Sequence, residues 1–358
     1  MLAPHYAGAK TKDTIHEVEI RRYRYFLPSS MENIAYNGGG VYRIRKSPLY
    51  VLKLICFVVS QFGSTLWYVL TKQIDILNPH WIIPQGFVAV IVKFITRKKV
   101  VLTVHGGDVF NITSKPMTAL KRFILKHADE VCPNSEATMQ GCKTIFNRSY
   151  TIIPMGIDMK KFEVKVPSGA LQKKYDLHGF TILFVGRLTE VKGVKYLLEA
   201  AKKMVEQKMD FKVLIVGDGP LKHDFSDYIN RHGLKNHVTL TGWVDSSQLN
   251  EYYSVADVFV GPSISEPQGL VFVEALAAGT PVVASKVGGI VDIVSHGETG
   301  YLVQPRSSDA LVDRLRYLME HPDILKVFSA HARVSVRRRF SWHATTERYT
   351  ALFEKLTS

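Results

Sequence analysis

Short apolar runs alternate along this chain with longer stretches that carry apolar residues at helical spacing. The alternation is cleanest in the second half. Residues 180–185, 212–216, 238–241, 258–261 and 282–284 are rich in Val, Ile, Leu and Phe and read as buried strands. Residues 194–206, 222–231 and 248–254, and a stretch reaching Ala278, read as the helices between them. The strands run into turns of glycine or small residues: Gly186-Arg187, Gly217-Asp218-Gly219-Pro220, Gly242-Trp243 and Pro262-Ser263. This pattern predicts an α/β fold, with a parallel sheet covered by helices on both faces and a ligand crevice at the carboxyl ends of its strands.

The first half repeats the pattern less regularly. Strands are expected over 17–26, 74–78, 100–105, 130–133 and 151–153, and helices over 48–71, 85–96 and 117–127. The apolar run 49–70 has roughly the length of a membrane span, but Lys53, Ser60, Gln61, Ser64 and Thr65 interrupt it. It reads as a core helix or an interfacial one. At 358 residues the chain exceeds one ordinary core, so two domains are expected. The stretch 155–178, with Pro167-Ser168-Gly169, is the natural connection.

Charge changes this picture in one respect. The first 165 residues carry 23 Lys+Arg against 11 Asp+Glu, while the remainder carries 23 against 21. The excess gathers at Arg21-Arg22-Tyr23-Arg24, Arg43-Ile44-Arg45-Lys46 and Arg97-Lys98-Lys99. Such an asymmetry suits an anionic surface: a phospholipid headgroup layer, a lipid phosphate or nucleic acid. No nucleic-acid motif accompanies it, so nucleic acid is not expected as a partner. Cys56, Cys132 and Cys142 are odd in number and lack metal-ligand spacing, which points to buried thiols in a reducing compartment. No signal-like segment opens the sequence, so the sequons at Asn111 and Asn147 carry little weight.

Two stretches carry most of the candidate chemistry. In Glu266-Pro-Gln-Gly-Leu-Val-Phe-Val-Glu274 two carboxylates stand eight positions apart around a glycine turn at a helix start, and Gly279-Thr280-Pro281 then leads into a Val-rich strand. Free helix-start amides suit phosphate oxygens, and carboxylates suit sugar hydroxyls. In Gly186-Arg187-Leu-Thr-Glu-Val-Lys192-Gly193 a strand end presents an Arg fork and a mobile Lys, a pair able to neutralise a diphosphate without metal. The competing reading of that pair is a surface salt bridge. His105 and Asp108 end another strand in Thr103-Val-His105-Gly-Gly-Asp108, where a structural histidine competes with a functional one. The dinucleotide fingerprint fails because Lys222 stands where a third glycine is needed, and no phosphate-binding loop, zinc spacing or serine nucleophile elbow is present.

Taken together, these segments resemble the group 1, or family 4, retaining glycosyltransferases of GT-B architecture. The resemblance also takes in Ile153-Pro-Met-Gly156-Ile-Asp158 and covers nearly the whole chain. It implies two Rossmann-like domains facing across a cleft: an acceptor-side domain over 1–165 plus 341–358, and a nucleotide-sugar-binding domain over 166–340. It implies further that Arg187 and Lys192 bind the donor diphosphate, Glu274 the ribose hydroxyls and Glu266 the transferred sugar. Gly186 would line the donor site, the backbone of Gly269, Leu270 and Val271 would meet sugar or phosphate, and His105 would bind a sugar hydroxyl near the reacting carbon. The last helix, around 342–356, would cross back onto the first domain. The donor is then a nucleoside-diphosphate sugar, the acceptor a glycan or a lipid-linked molecule, and no metal or other cofactor is expected.

The sequence departs from the family pattern at its start. Met1-Leu-Ala-Pro4-His5 corresponds to a segment that usually follows a first strand, a Gly-Gly loop and a first helix, so that unit is expected to be missing. Gly38-Gly39-Gly40 lies too late to replace the loop, and Gln268 stands where an aromatic residue is common. The functional expectation is retaining hexosyl transfer in glycan, glycolipid or cell-surface polysaccharide synthesis, in the cytoplasm and at the inner face of a membrane. Its alternatives are a non-catalytic nucleotide-sugar-binding remnant, a GT-B-type epimerase or phosphorylase, and a membrane-surface binding module.

Overall fold

The computed structural model describes residues 1–34, 48–111, 113–163 and 169–358. Arg43, Arg45 and Lys46, the glycines Gly38, Gly39 and Gly40, the expected domain boundary at 165/166 and Pro167-Ser168 lie outside the described residues. The chain packs as two compact units. One comprises Met1–Cys132, Gly141–Thr151 and Phe353–Ser358, and the other Pro133–Gln140 and Ile152–Leu352.

The first unit holds two small sheets. In one, β1 (Leu2–Pro4) runs parallel to β3 (Val18–Tyr23), and β2 (Lys12–Ile15) pairs antiparallel with β3 on its other side. A single strand over 17–26 was the expectation. The chain instead turns at His16 and Glu17, whose φ values of 46° and 68° match a two-residue hairpin turn. Lys12–Ile15 is a mostly exposed edge, so it has no buried face to leave an apolar pattern. The helix Pro48–Thr71 lies against this sheet, where Tyr23, Tyr25, Tyr50 and Phe57 form a small aromatic core. In the other sheet β4 (Ile76–Leu77), β5 (Lys99–Val104) and β6 (Glu130–Pro133) lie in that order. Its core joins Leu102 and Val104 of β5 to Val90, Ile124, Leu125 and Cys142 on the covering helices. Residues 151–153 form no strand of their own. They run beside β6 through the Thr151 N–H to Val131 O bond (3.2 Å) and the Ile153 N–H to Pro133 O bond (3.0 Å).

The second unit contains one six-stranded sheet. Its strands are β7 (Phe180–Val185), β8 (Phe211–Val216), β9 (Val238–Gly242), β10 (Val258–Gly261), β11 (Val282–Ser285) and β12 (Gly300–Val303). The order is β12-β11-β10-β7-β8-β9 and every pairing is parallel. Side chains alternate between two cores, as the two-residue period of a strand requires. Leu183 and Val185 face the helices Leu249–Val255, Leu270–Ala278 and Pro322–Phe340, while Ile182 and Phe184 face Val194–Glu206 and Ser308–Glu320. The sheet is covered on both sides, and that is why its strands read as continuous apolar runs. From β7 the chain builds outward through β8 and β9, then returns to the other side of β7 for β10, β11 and β12. The junction of β7 and β10 is therefore a topological switch point, where open α/β sheets bind ligands at their carboxyl ends.

Candidate functional site

The loops leaving the carboxyl ends of β7 and β10 are held together. After β7 come Gly186, Arg187 and a tight turn over Glu190–Lys192, and Gly193 then opens the helix Val194–Glu206. After β10 come Pro262, Ser263 and Glu266. The Ile264 N–H donates to Val191 O at 2.8 Å. Gly193 has φ 66°, and a Cβ at this position would stand 1.9 Å from the Pro262 carbonyl oxygen. Only glycine allows so close an approach.

At this junction Lys192 Nζ lies 2.5 Å from Glu266 Oε2, and the Ser263 hydroxyl stands 3.5 Å from the same oxygen. Glu266 is only 6% exposed, so its carboxylate depends on the ammonium it faces. Its carbonyl is fixed as well, accepting from the Gly289 N–H at 2.9 Å. Gly269, at φ 91°, starts the helix Leu270–Ala278 and has no side-chain cap. A Cβ on it would meet the Phe272 ring at 2.6 Å and Glu266 Cγ at 2.9 Å. The amides of the first helical turn, Leu270 and Val271 among them, are donors that the helix itself cannot satisfy, and they bring the positive end of its dipole beside Glu266.

The neighbouring Gln268 is buried and clamps a second segment. Its amide accepts from the Met155 N–H at 3.1 Å and donates to the Met155 carbonyl at 2.8 Å. Replacing it with alanine strands two backbone groups, at a cost of roughly 1–3 kcal/mol. The expected outcome for Gln268→Ala is a lower melting temperature together with slower turnover, because the loop carrying Glu266 loses its anchor. Thermal melts paired with initial rates check this. A variant with unchanged rate and stability would show that the clamp is dispensable.

Glu274 has a different partner. Its Oε2 accepts the Tyr253 hydroxyl at 2.9 Å. Burial pushes the Glu274 carboxyl above the usual carboxylate range, opposed by that hydrogen bond and by the charge of Lys161. Tyr253 is wholly buried, and burial holds its phenol well above the ordinary value. Arg187 is exposed, and its side chain makes no ion pair or hydrogen bond to the described residues. The structure thus joins Lys192 to Glu266 and sets Gly269 against them, leaves Arg187 free at the same strand end, and ties Glu274 to Tyr253.

In the first unit, His105 follows β5. Its Nε2 lies 2.9 Å from His80 Nδ1, the two rings stack with centroids 5.1 Å apart, and Trp81 packs against it at 5.6 Å. Burial, then the neighbouring His80, lowers the His105 pKa to about 4. Asp108 is a structural anchor: its buried carboxylate accepts the Ile82 N–H next to Trp81, which has φ 84°. The folded state holds His105 neutral, whereas the unfolded chain takes up that proton near pH 6.5. Below that value the unfolded state binds more protons, so stability is lost as pH falls from about 6.5 towards 4. Thermal melts between pH 7.5 and 4.5 should show this decline, with a shallower slope for His105→Asn. Equal slopes would place the titration elsewhere.

Tyr253, Ser263, Gln268 and Lys161 were not singled out in the sequence as parts of the site. Gln268 stood out only as a departure from the family pattern, and the other three carry no spacing signal. Within the second unit a cavity of about 210 Å³ is lined by Ser135, Glu136, Gln268, Gly289, Asp292 and Arg339 among others. It meets the Glu266 loop through Gln268 and contains none of the sequence-derived site residues. There Asp292 accepts the Glu136 N–H at 3.0 Å, and burial raises its carboxyl above the usual range.

Comparison with known proteins gives the chain its family and its fold. Residues 172–335 match the family model for glycosyl transferases group 1, and residues 14–161 match that for glycosyltransferase family 4. An uncharacterised glycosyltransferase of Methanocaldococcus jannaschii is 30% identical over 346 residues, covering 91% of this chain and 86% of the relative. N-acetyl-alpha-D-glucosaminyl L-malate synthase of Bacillus anthracis is 27% identical, covering 79% of this chain and 75% of the relative. Among solved structures, the Anabaena protein HepE in complex with UDP superposes with a TM-score of 0.77 at 21% identity, covering 95% of this chain and 87% of that one. The chain belongs to the group 1 glycosyltransferases. Its two α/β units share the fold of GT-B glycosyltransferase structures.

Proposed function

We propose that this enzyme transfers a sugar from a nucleoside-diphosphate sugar to an acceptor hydroxyl, with retention at the anomeric carbon. The observation that carries the reading is the Lys192–Glu266 pair beside the uncapped helix start at Gly269, at the β7/β10 switch point. An ammonium has three donors, and Glu266 uses one, which leaves donors for phosphate oxygens. Arg187, exposed at the end of the same strand, adds a planar fork, and Gly186 keeps that strand end open to the ligand. The amides of Gly269, Leu270 and Val271 complete an anion site, and Glu266 reads the transferred sugar. Glu274, oriented by Tyr253, takes the ribose hydroxyls. For His105, neutral at physiological pH, the role is a hydrogen bond to a sugar hydroxyl rather than an ion pair.

Charge develops on the departing diphosphate, so fixed cations and amides lower the barrier where they are most effective. Two cationic side chains provide this neutralisation, and the reading needs no metal. The leaving phosphate takes the acceptor proton in a front-side displacement. The crystallised HepE holds UDP, and the Bacillus anthracis relative is named for an alpha-glucosaminyl product; both support the donor class. The acceptor is a glycan or a lipid-linked molecule, in keeping with the basic, apolar first unit. The test is proton NMR of the product formed from a nucleoside-diphosphate hexose. The anomeric coupling should match that of the donor; an inverted coupling overturns retention, and donor binding without any turnover overturns the enzymatic reading.

A further inference from the structure

We propose that the outward face of the helix Pro48–Thr71 docks this protein onto an anionic lipid surface. The inference stands apart from the sugar-transfer chemistry and rests on a different part of the molecule.

The helix has 24 residues, and among the described residues it alone is long and apolar enough to cross a membrane by length and composition. The fold uses it differently. One face is packed into the first unit: Tyr50, Phe57 and Val69 are buried in its small cores, and Lys53 and Gln61 are buried beside them. The packing is confined to that one face, and 22% of the helix's most apolar window is buried within the protein. Its opposite face is bare. Leu52, Ile55, Val59, Gly63, Trp67 and Leu70 recur at three- and four-residue spacing and are exposed, Val59 by 62% and Trp67 by 54%. They form an apolar ridge along a helix about 36 Å long, at 1.5 Å per residue. A contiguous apolar strip of this kind on a folded surface marks a docking site rather than scattered surface residues.

The charges select the occupant. No Asp or Glu occurs between Glu32 and Asp75, an interval whose basic residues are Arg43, Arg45 and Lys46, outside the described residues, Lys53, buried on the packed face, and Lys72. Lys72 is exposed directly after the helix. A second copy of this chain would bring together two units carrying the same excess of positive charge. A bilayer of anionic lipid satisfies both features: the boundary between headgroups and acyl chains accepts a convex apolar ridge, and the headgroups offset the basic charge. Trp67 has an amphipathic ring suited to that boundary.

The full chain is sedimented with vesicles of phosphatidylcholine alone and of phosphatidylcholine mixed with phosphatidylglycerol, at low and high salt. The wild type should bind the mixed vesicles and lose at least about tenfold in partitioning on neutral lipid or at high salt. Ile55→Ser/Val59→Ser/Trp67→Ser should lose about a hundredfold in partitioning while keeping its thermal melt and its binding of a nucleoside diphosphate. Quenching of wild-type tryptophan emission by brominated lipid, reduced in Trp67→Phe, gives a second readout that does not depend on the triple variant folding. The proposal is overturned if the wild type stays in the supernatant with mixed vesicles, or if the triple variant sediments like the wild type. It is equally overturned if the substitutions only dissociate a dimer, or if bound protein resists alkaline extraction as a spanning helix would. Transfer to a soluble acceptor is unaffected in all arms, so failure here leaves the proposed reaction standing.

Discussion

Arg187→Ala combined with Lys192→Ala is expected to reduce sugar transfer by about a thousandfold or more, since loss of a single preorganised electrostatic contact to a developing charge typically costs about 10²–10³ in rate. Arg187 is exposed and its side chain makes no ion pair or hydrogen bond to the described residues, so its truncation should leave the fold intact. Lys192 is different, because truncating it leaves the buried carboxylate of Glu266 with only the Ser263 hydroxyl, at 3.5 Å, to offset its charge. Breaking a fully buried pair costs roughly 3–5 kcal/mol. The Lys192 side chain is 25% exposed, so solvent screening lowers that penalty. A control with Glu266→Gln added to the double variant removes the stranded charge, and its thermal melt shows how far that charge destabilises the double variant. Rates are read at a temperature where melts show the variants folded. Near-normal turnover of the double variant would overturn the diphosphate assignment.

Glu266→Gln tests the other half of the pair and should act on turnover more than on donor binding. Glutamine has the same shape and can still accept a hydrogen bond from Lys192, so the junction of the two loops should hold. What is lost is the negative charge that the proposed reading sets against the transferred sugar, on a side chain sheltered from water. The expected result is a fall of about a hundredfold in kcat, with a donor dissociation constant changed only a few-fold. Steady-state kinetics with calorimetry of donor binding makes the comparison. If affinity collapses while kcat holds, Glu266 serves mainly to bind.

Much of the second unit was legible in the sequence, for a physical reason. A strand buried on both faces has to be apolar throughout, and a helix covering it has to be apolar along one stripe, so β7, β8 and β10 and the helices Val194–Glu206 and Lys222–Arg231 leave strong patterns. The glycines at 193 and 269 were visible because backbone or ring atoms of the opposing loop or the next turn occupy the space a side chain would need. The first unit was harder to read. Lys12–Ile15 is an exposed edge with no buried face, and residues 151–153 hydrogen-bond beside β6 without becoming a strand. The helix Glu136–Ile145, which is divided between the two units, buries only a narrow stripe of Met139, Cys142 and Ile145 among small and polar residues, too thin a pattern to stand out in the sequence.

The candidate site divides in the same way. Residues that belong to a local motif, such as Lys192, Glu266 and Glu274, could be picked out by spacing. Residues that reach the site from elsewhere in the chain could not. Tyr253 meets Glu274 from a separate helix, and Met155 meets Gln268 across 113 positions. Only the folded chain pairs them. The pairing of Lys192 with Glu266 was likewise not foreseen, since each had been assigned its own part of the donor.

The most direct measurement is a crystal structure of the protein with a nucleoside diphosphate bound. The account predicts phosphate oxygens at the junction of the β7 and β10 loops, about 2.7–3.2 Å from Lys192 Nζ, the Arg187 guanidinium and the N–H groups opening the helix Leu270–Ala278. A diphosphate seated elsewhere, for instance in the cavity between Ser135 and Arg339, would contradict it.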